Sequence, residues 1–458
     1  MSAVIAAEFT SAVHRGTMLA AVFLAQPIDR LLAYGLGLAI LRGLTGSANI
    51  ANLQGQDLKD EEKLIMDQVW RLVLGLAGIP AVFAIGLRLM IPETPRYYSA
   101  IKRDMVKAKE VIARMGARSP TLKTEDIEST NRPTAQSVPE DEGTWLQKAM
   151  VYLFGTTKGW KILTAISLQW FLLDVAFYGT GLDSPGTLAA LWMNSKPPYS
   201  DDYYKTVEGF GVWNQDLAFP DARIEQTLDN NLTRTLQLSS AAAILGSLLV
   251  IPLVNYQSRR TQYIWTSATL TVLFVCMAIA VRYTYASPAH PVSMVFYALA
   301  QFFFNLGPNT LTFVMAAESF PTEFRGTFFA LAAGSGKVGA IVARGLVEAA
   351  GKGRTGIVAL LSAFSGILFL MTLLAWLEPW GIAIPPAQLP REDVGEEAAL
   401  FRGRFRRLEN LTLEEISPWP VVPRPGDAAA QASDSDTEEN KGPVVEEAVT
   451  LPEAALPS

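Results

Sequence analysis

Three polar side chains recur at every fourth position within one apolar stretch of the chain, residues 160–182. They are Trp170, Asp174 and Tyr178. Residues four apart lie on one face of an α-helix, so an indole N–H, a carboxylate and a phenol project together. A carboxylate in mid-membrane costs at least about 2.5 kcal/mol and by default marks a transport pathway or a proton relay. The alternative interpretation is a structural partner for another helix.

A lysine lies in a second apolar stretch, within the sequence GSGKVGA. This residue is Lys337, and its small neighbours allow another helix to approach closely, which makes it a cation at membrane depth. The Gly-Lys pair does not predict a nucleotide-binding loop. Leu331 stands at the first glycine position, Val338 follows the lysine where Ser or Thr is required, and no strand precedes the motif.

Amide side chains occur at similar depth in other apolar stretches. Asn305 and Asn309 are one helical turn apart in the sequence FNLGPN, and Gln26 lies in the first complete span. An amide can donate to an oxyanion, although an interhelical hydrogen bond explains an asparagine nearly as well.

The combined set of indole, phenol, amide and ammonium donors suits an oxyanion. The single carboxylate, Asp174, can accept a hydrogen bond only from an anion that still carries a proton. Phosphate carries such protons near neutral pH, whereas sulfate does not. The residues therefore predict a phosphate site in which Asp174 and Lys337 also take part in proton coupling.

The composition predicts the membrane setting that these residues need. Half of the 458 residues are hydrophobic and only 18% are charged. Apolar runs near the length of about 20 residues that crosses a bilayer give roughly eight spans and a short stub, Met1 to Phe9. The runs are residues 16–44, 69–91, 160–182, 236–254, 263–281, 292–317, 327–350 and 356–376. We predict an all-α, multi-pass membrane protein.

The charged residues predict the orientation and the division of the chain. Basic clusters between 96 and 114, at 259–260 and at 325 alternate with acidic loops, which places the basic loops and the C-terminus in the cytoplasm. We predict the rest of a first bundle in 1–91, a cytoplasmic linker in 92–158, a six-helix bundle in 159–378 and a disordered acidic tail in 379–458. The linker is expected to be mobile at 121–143.

An internal repeat supports two related bundles. The pattern AAE, six residues, RGT occurs around Glu8 and Arg15 and again, with identical spacing, around Glu318 and Arg325. Parallel repeats of six helices are the plan of major facilitator carriers. Each Glu–Arg pair is expected to lie on the cytoplasmic side as part of a gate. If the halves correspond, roughly three and a half helices are absent before Met1, so we expect an incomplete first bundle.

The motifs as a whole resemble the phosphate:proton symporters of the major facilitator superfamily, especially the fungal and plant high-affinity type. The resemblance rests on RGTMLAAVFLAQ, IPETPRYY, WFLLDVAFYGTGL, GPNTLTFVMAAESFPTEFRGT and SGKVGAI. It implies a plasma-membrane carrier of inorganic phosphate and protons, with a phosphate site lined by residues matching Gln26, Trp170, Asp174, Tyr178, Asn309 and Lys337.

Some features depart from that family. Its first-helix aspartate and the Asp-Tyr pair of its fourth helix have no counterpart in the chain. Asn255 stands where the superfamily has an acidic residue and a glycine before its basic pair, which implies a weakened cytoplasmic latch. Asp29 and Arg30 are adjacent in mid-span and diverge by about 100° around the helix, so they do not easily neutralise each other. We predict no function for them from the sequence.

Other functions are less compatible with the residues. The only cysteine is Cys276, and the two histidines, His14 and His290, lie far apart, so we predict no metal, no cofactor and no enzyme activity. No nucleic-acid partner is expected. A facilitator for sugars or organic acids remains an alternative, and so does a membrane protein that no longer transports. The sequon at Asn231 lies in an outward-facing loop close to the next span, where a glycan is permitted but hard to reach.

Overall fold

A computed structural model shows the protein as an assembly of α-helices. It describes residues 2–10, 15–48, 55–95, 144–155, 159–181, 224–285, 287–321, 323–350 and 354–377, with a few residues between 97 and 111. In chain order the helices are α1 (Ser2–Phe9), α2 (Arg15–Phe23), α3 (Ala25–Ser47), α4 (Gly55–Met90), α5 (Trp145–Phe154), α6 (Gly159–Gly181), α7 (Ile224–Arg234), α8 (Ala241–Tyr256), α9 (Arg259–Thr284), α10 (Pro291–Leu306), α11 (Pro308–Ser319), α12 (Arg325–Ala350) and α13 (Arg354–Leu377). A π-helical turn, Thr235–Ser240, joins α7 to α8. The all-α fold class is confirmed.

Seven stretches of helix in the described part are long and apolar enough to cross a membrane. They are Arg15–Ser47, Glu61–Met90, Gly159–Gly181, Glu225–Val254, Arg259–Thr284, Arg325–Ala350 and Arg354–Leu377. Each corresponds to a span predicted from the sequence, so the protein is an integral membrane protein.

The one remaining predicted span, residues 292–317, is broken into α10 and α11. Pro308 has no N–H to donate to the preceding turn, and Gly307 leaves helical geometry with φ −126° and ψ −113°. Thr310 repairs part of the break, because its hydroxyl donates to the carbonyl of Asn305 over 2.6 Å. The break carries Asn309 into the first turn of α11, where it can face the interior.

The second bundle packs around aromatic and aliphatic side chains from α6, α8, α9, α10 and α13. Phe304 is central, since its ring lies 5.4 Å from Phe177 and 5.8 Å from Phe274. Lipid is as apolar as these side chains, so close van der Waals contact and interhelical hydrogen bonds hold the helices together. Gln169 supplies such bonds, donating to the Met371 carbonyl over 3.2 Å and accepting from the Tyr263 hydroxyl over 3.1 Å.

The N-terminal helices pack directly on the second bundle. Helix α2 contacts α8 and α11, α1 contacts α11, and α3 contacts α7 and the π-helical turn. Helix α4 differs, because the most apolar part of its candidate span is not buried within the described protein. Its side chains therefore face the surroundings, as hydrocarbon-facing residues do.

The predicted linker contains a helix that docks on the second bundle. Helix α5 begins with a capping box, in which the Thr144 side chain accepts from the Gln147 N–H and the Gln147 side chain accepts from the Thr144 N–H. The ring of Tyr152 stacks against both Phe324 and Phe328, with centroids 5.4 and 5.6 Å away. The predicted mobile segment, 121–143, and the predicted tail, 379–458, lie outside the described residues.

The sequon asparagine does not lie in a loop. Asn231 is in α7, and only 5% of its surface is exposed. A glycan needs an accessible asparagine amide, so this burial argues against modification at the site.

Candidate functional site

The Trp-Asp-Tyr face of α6 meets Lys337 of α12, as the sequence predicts. The ammonium nitrogen of Lys337 donates to the Tyr178 hydroxyl over 2.8 Å and lies 3.7 Å from Oδ2 of Asp174. It also lies over the Tyr178 ring, 4.5 Å from the centroid. Asp174 is buried, whereas the side chain of Lys337 is 64% exposed. The cation therefore sits at the open side of a buried carboxylate.

The small residues of α12 allow this close approach. A Cβ atom on Gly336 would lie 2.6 Å from both Oδ2 of Asp174 and Cδ1 of Trp170, and one on Gly339 would collide with the Phe171 carbonyl. The two helices are further tied by Ser335, whose hydroxyl donates to the Ser167 carbonyl over 2.8 Å. Gly336 and Gly339 are thus required by packing against α6, which agrees with the interpretation of this sequence as a helix contact.

The Asp174 carboxylate retains an open acceptor. In the part of the chain that the structure describes, its Oδ2 atom receives no hydrogen bond, although it is buried. Lys337 at 3.7 Å neutralises it through charge without donating at hydrogen-bond distance. A buried carboxylate oxygen that lacks a donor is costly, and a ligand with an O–H group can supply that donor.

The amide residues form a second group across the interface between the bundles. Nδ2 of Asn309 donates to Oε1 of Gln26 over 3.0 Å and lies 3.3 Å from Oδ1 of Asn305. Gln26 belongs to α3 and Asn309 to α11, so this contact joins the two halves of the chain. The structure thus shows the interhelical hydrogen bond, and donation to an oxyanion stays a prediction.

A row of aromatic rings connects the two groups. The ring of Trp170 lies 5.5 Å from Phe329, Phe329 lies 5.7 Å from Phe313, and Phe313 lies 5.1 Å from Phe23. Phe23 and Phe313 are each within four residues of Gln26 and Asn309 respectively. One cluster, at the Trp170 end of this aromatic row, contains Trp170, Asp174, Tyr178 and Lys337. A second cluster, at the Phe23 end, contains Gln26 and Asn309.

The predicted gate residues carry opposite charges, and one ion pair joins the two copies of the repeat. Glu8 of the first copy lies with Oε1 3.6 Å from Nη1 of Arg325 in the second copy, and Thr94 donates to its Oε2 over 2.7 Å. Arg15 and Arg325 each donate to the carbonyl five residues earlier, at Thr10 and Phe320. The two copies therefore share a local geometry, and the contact between Glu8 and Arg325 links the bundles.

The basic pair at the predicted latch has an acidic neighbour on another helix. Arg259 lies with Nε 3.4 Å from Oε2 of Glu318, and it also donates to the Val254 carbonyl over 2.8 Å. The cation therefore reaches Glu318 directly, although Asn255 replaces the acidic residue of the superfamily pattern.

Comparison with known proteins assigns the chain to a family. The family model described as "Sugar (and other) transporter" matches residues 1–174 and 232–377. The chain belongs to this family. In fold, the chain is similar to the major facilitator proton:xylose symporter XylE, with a TM-score of 0.57 at 16% sequence identity, over 91% of this chain and 69% of that one. The predicted major facilitator fold is confirmed.

Curated relatives of the chain are named as phosphate permeases or transporters. The repressible high-affinity phosphate permease of Neurospora crassa is 30% identical over 351 residues, which are 76% of this chain and 56% of the permease. The inorganic phosphate transporter PHO84 of Saccharomyces cerevisiae is 28% identical over 349 residues, 75% of this chain and 54% of that protein. The resemblance inferred from the motifs is confirmed. The chain spans about half the length of these curated relatives.

A further polar residue, for which the sequence predicts no function, lies close to both groups. Arg30 lies one helical turn after Gln26 on α3, is half-buried, and stacks over the ring of Phe177, which in turn packs against Tyr178. The signal that could have identified it was the i, i+4 spacing from Gln26, the same spacing that joins Asn305 to Asn309.

Proposed function

We propose that the cluster between α6 and α12 binds inorganic phosphate and that the chain carries phosphate across a membrane together with protons. One observation carries this proposal: Lys337 stands between the Tyr178 hydroxyl, 2.8 Å away, and the Asp174 carboxylate, 3.7 Å away, while Oδ2 of Asp174 receives no hydrogen bond from the described residues. A cation beside an unused acceptor fits an anion that still carries a proton.

The cluster offers a complete set of contacts to such an anion. Lys337 balances its charge, the Tyr178 hydroxyl and the Trp170 indole N–H donate to its oxygens, and Asp174 accepts from its P–OH group. Sulfate lacks that proton, so its oxygens would face the Asp174 carboxylate without a donor and would be repelled. Asp174 therefore discriminates between the two anions, whereas Lys337 attracts both.

The same pair offers a route for proton coupling. While Asp174 is charged, it accepts a hydrogen bond from the P–OH group of bound phosphate and Lys337 balances the charge of the anion. When Asp174 takes up a proton of its own, this acceptor is neutralised and the hold on the P–OH group weakens. Release of phosphate is thereby linked to the protonation of Asp174.

The names of the curated relatives support phosphate as the substrate over the sugar or organic-acid alternative. The location of the protein is a proposal of the same kind: a plasma membrane, with the basic loops and the C-terminus in the cytoplasm by the positive-inside rule. In that orientation the Glu8–Arg325 and Arg259–Glu318 pairs lie on the cytoplasmic side and close the inner end of the path.

Competition binding tests the substrate assignment. The purified full chain in detergent is loaded with radiolabelled phosphate, which is then displaced by unlabelled phosphate, sulfate or glucose. We expect sulfate to compete about tenfold or more weakly than phosphate, because it cannot supply the hydrogen bond to a charged acceptor, and glucose not to compete. Equal competition by glucose supports the sugar alternative, and absence of phosphate binding contradicts the proposal.

A further inference from the structure

Arg30 is a mid-membrane cation with no counter-charge of its own. Nη1 donates to the Ser239 hydroxyl over 3.4 Å, and the guanidinium carbon lies 5.3 Å from the centroid of the Phe177 ring. Among the residues that the structure describes, no carboxylate lies within ion-pair distance of Arg30, and the adjacent Asp29 is on an exposed part of α3. A guanidinium has five N–H donors, so most of them remain available to a ligand.

A ladder of polar side chains extends from the amide group already described along α10 and α11. Residues 297, 301, 305 and 309 follow one another at four-residue intervals. Asn309 donates to Asn305, and Nδ2 of Asn305 donates to the Gln301 carbonyl over 2.9 Å. Tyr297, one turn before Gln301, donates to the Thr180 carbonyl over 3.5 Å.

The ladder begins beside Gln26, and Arg30 lies one turn after Gln26 on the same face of α3. Arg30 therefore shares the wall of the path on which Gln26 and Asn309 lie, instead of pointing to lipid. Its partner Ser239 comes from the π-helical turn Thr235–Ser240, and such turns occur frequently at functional sites. Gln301 adds a buried Oε1 atom that accepts no hydrogen bond from the described residues.

The second cation lies beside the first. Arg30 stacks on Phe177 and Lys337 on Tyr178, and these two rings pack edge to face with centroids 5.4 Å apart. Both rings belong to the last turns of α6, which ends at Gly181, so the two cations lie at a similar depth. An anion that approaches Lys337 at this depth is also attracted by Arg30.

We propose that Arg30 forms a second oxyanion subsite beside the Lys337 cluster, with Ser239 as the residue that positions its guanidinium. This inference rests on the proposed function. The subsite offers donors and no carboxylate, so it attracts phosphate and sulfate alike. Arg30 thereby attracts either anion, whereas Asp174 discriminates between phosphate and sulfate.

Binding measurements on the full chain test the subsite. Arg30→Gln removes the charge and is expected to weaken phosphate binding about 10- to 100-fold, the range that corresponds to one charge-assisted hydrogen bond. The affinity for sulfate is expected to fall by the same factor, which leaves the phosphate-to-sulfate ratio unchanged. Arg30→Lys keeps the charge and is expected to retain affinity within about threefold. Arg71→Gln, at an exposed arginine of α4 paired with Asp67, is the matched control and should bind as the unaltered chain does.

A structural role for Arg30 gives a different pattern. If Arg30 only packs against Phe177, Arg30→Met keeps phosphate affinity and Arg30→Lys gains nothing over Arg30→Gln, and the subsite is then wrong. Thermal unfolding of every variant separates loss of folding from loss of binding, and Arg30→Lys keeps the test valid if the neutral variants do not fold. Unchanged affinity in Arg30→Gln overturns the subsite alone, whereas absence of phosphate binding by the unaltered chain overturns the proposed function with it.

Discussion

Replacing Asp174 with asparagine is expected to abolish proton-coupled accumulation of phosphate while leaving binding largely in place. The amide keeps the shape of the carboxylate, but it cannot take up a proton and it presents donors as well as an acceptor. Uptake into liposomes driven by a pH gradient should therefore fall to the level of passive equilibration. The preference for phosphate over sulfate should narrow by about tenfold or more, since the acceptor that rejects sulfate has been neutralised.

Asp67→Asn is a matched control for this variant. Asp67 pairs with Arg71 at an exposed position of α4, so the same chemical change there should leave uptake and selectivity unaltered. An Asp174→Asn protein that still concentrates phosphate and still rejects sulfate would show that the role assigned to Asp174 is wrong.

Replacing Lys337 with glutamine is expected to weaken the binding of both anions, by about 100-fold. A unit charge about 4 Å from another contributes about 4 kcal/mol at an effective dielectric constant of 20, and the 64% exposure of the Lys337 side chain reduces that value through solvent screening. The variant also leaves Asp174 as a buried carboxylate without its cation, which repels an incoming anion. Competition binding with phosphate and sulfate measures both losses.

The double variant Asp174→Asn with Lys337→Gln tests whether the two residues act as a pair. Neutralising both residues restores the charge balance. We therefore expect the double variant to lose less phosphate affinity than the two single losses added together. Lys161→Gln, at an exposed lysine in the first turn of α6, is the control for the lysine substitution. Additive losses in the double variant would contradict the coupling between Lys337 and Asp174.

The sequence predicted the α6–α12 cluster well because its information is local. The spacing of Trp170, Asp174 and Tyr178 fixes one helix face, and the small residues around Lys337 mark a helix surface that another helix can approach. Their meeting is a consequence of those two patterns, and the Lys337–Tyr178 distance of 2.8 Å agrees with it.

Features that depend on how whole helices meet were harder to predict. The crossed pair between Glu8 and Arg325 joins residues far apart in the sequence, and the repeat pattern only indicated that each copy contains both charges. The direct contact of Arg259 with Glu318 likewise depends on the positions of α9 and α11. Neither choice of partner is encoded in residue spacing.

The break at Gly307 and Pro308 had a sequence signal that the hydropathy pattern obscured. An apolar run of sufficient length predicts a span whether or not the backbone is continuous, so the run at 292–317 was interpreted as one helix. Arg30 illustrates a related difficulty. A charged residue in mid-span indicates either a functional site or an error in the interpretation, and only its placement over Phe177 and beside Ser239 favours the first.

Uptake by the full chain reconstituted alone in liposomes tests the central claim most directly. Radiolabelled phosphate is added outside at acidic pH to vesicles that are alkaline inside, with and without a protonophore. The account predicts that phosphate accumulates above its external concentration and that the protonophore returns it to equilibrium. Uptake that is equal with and without the pH gradient contradicts proton coupling, and vesicles that take up no phosphate under either condition contradict transport by this chain.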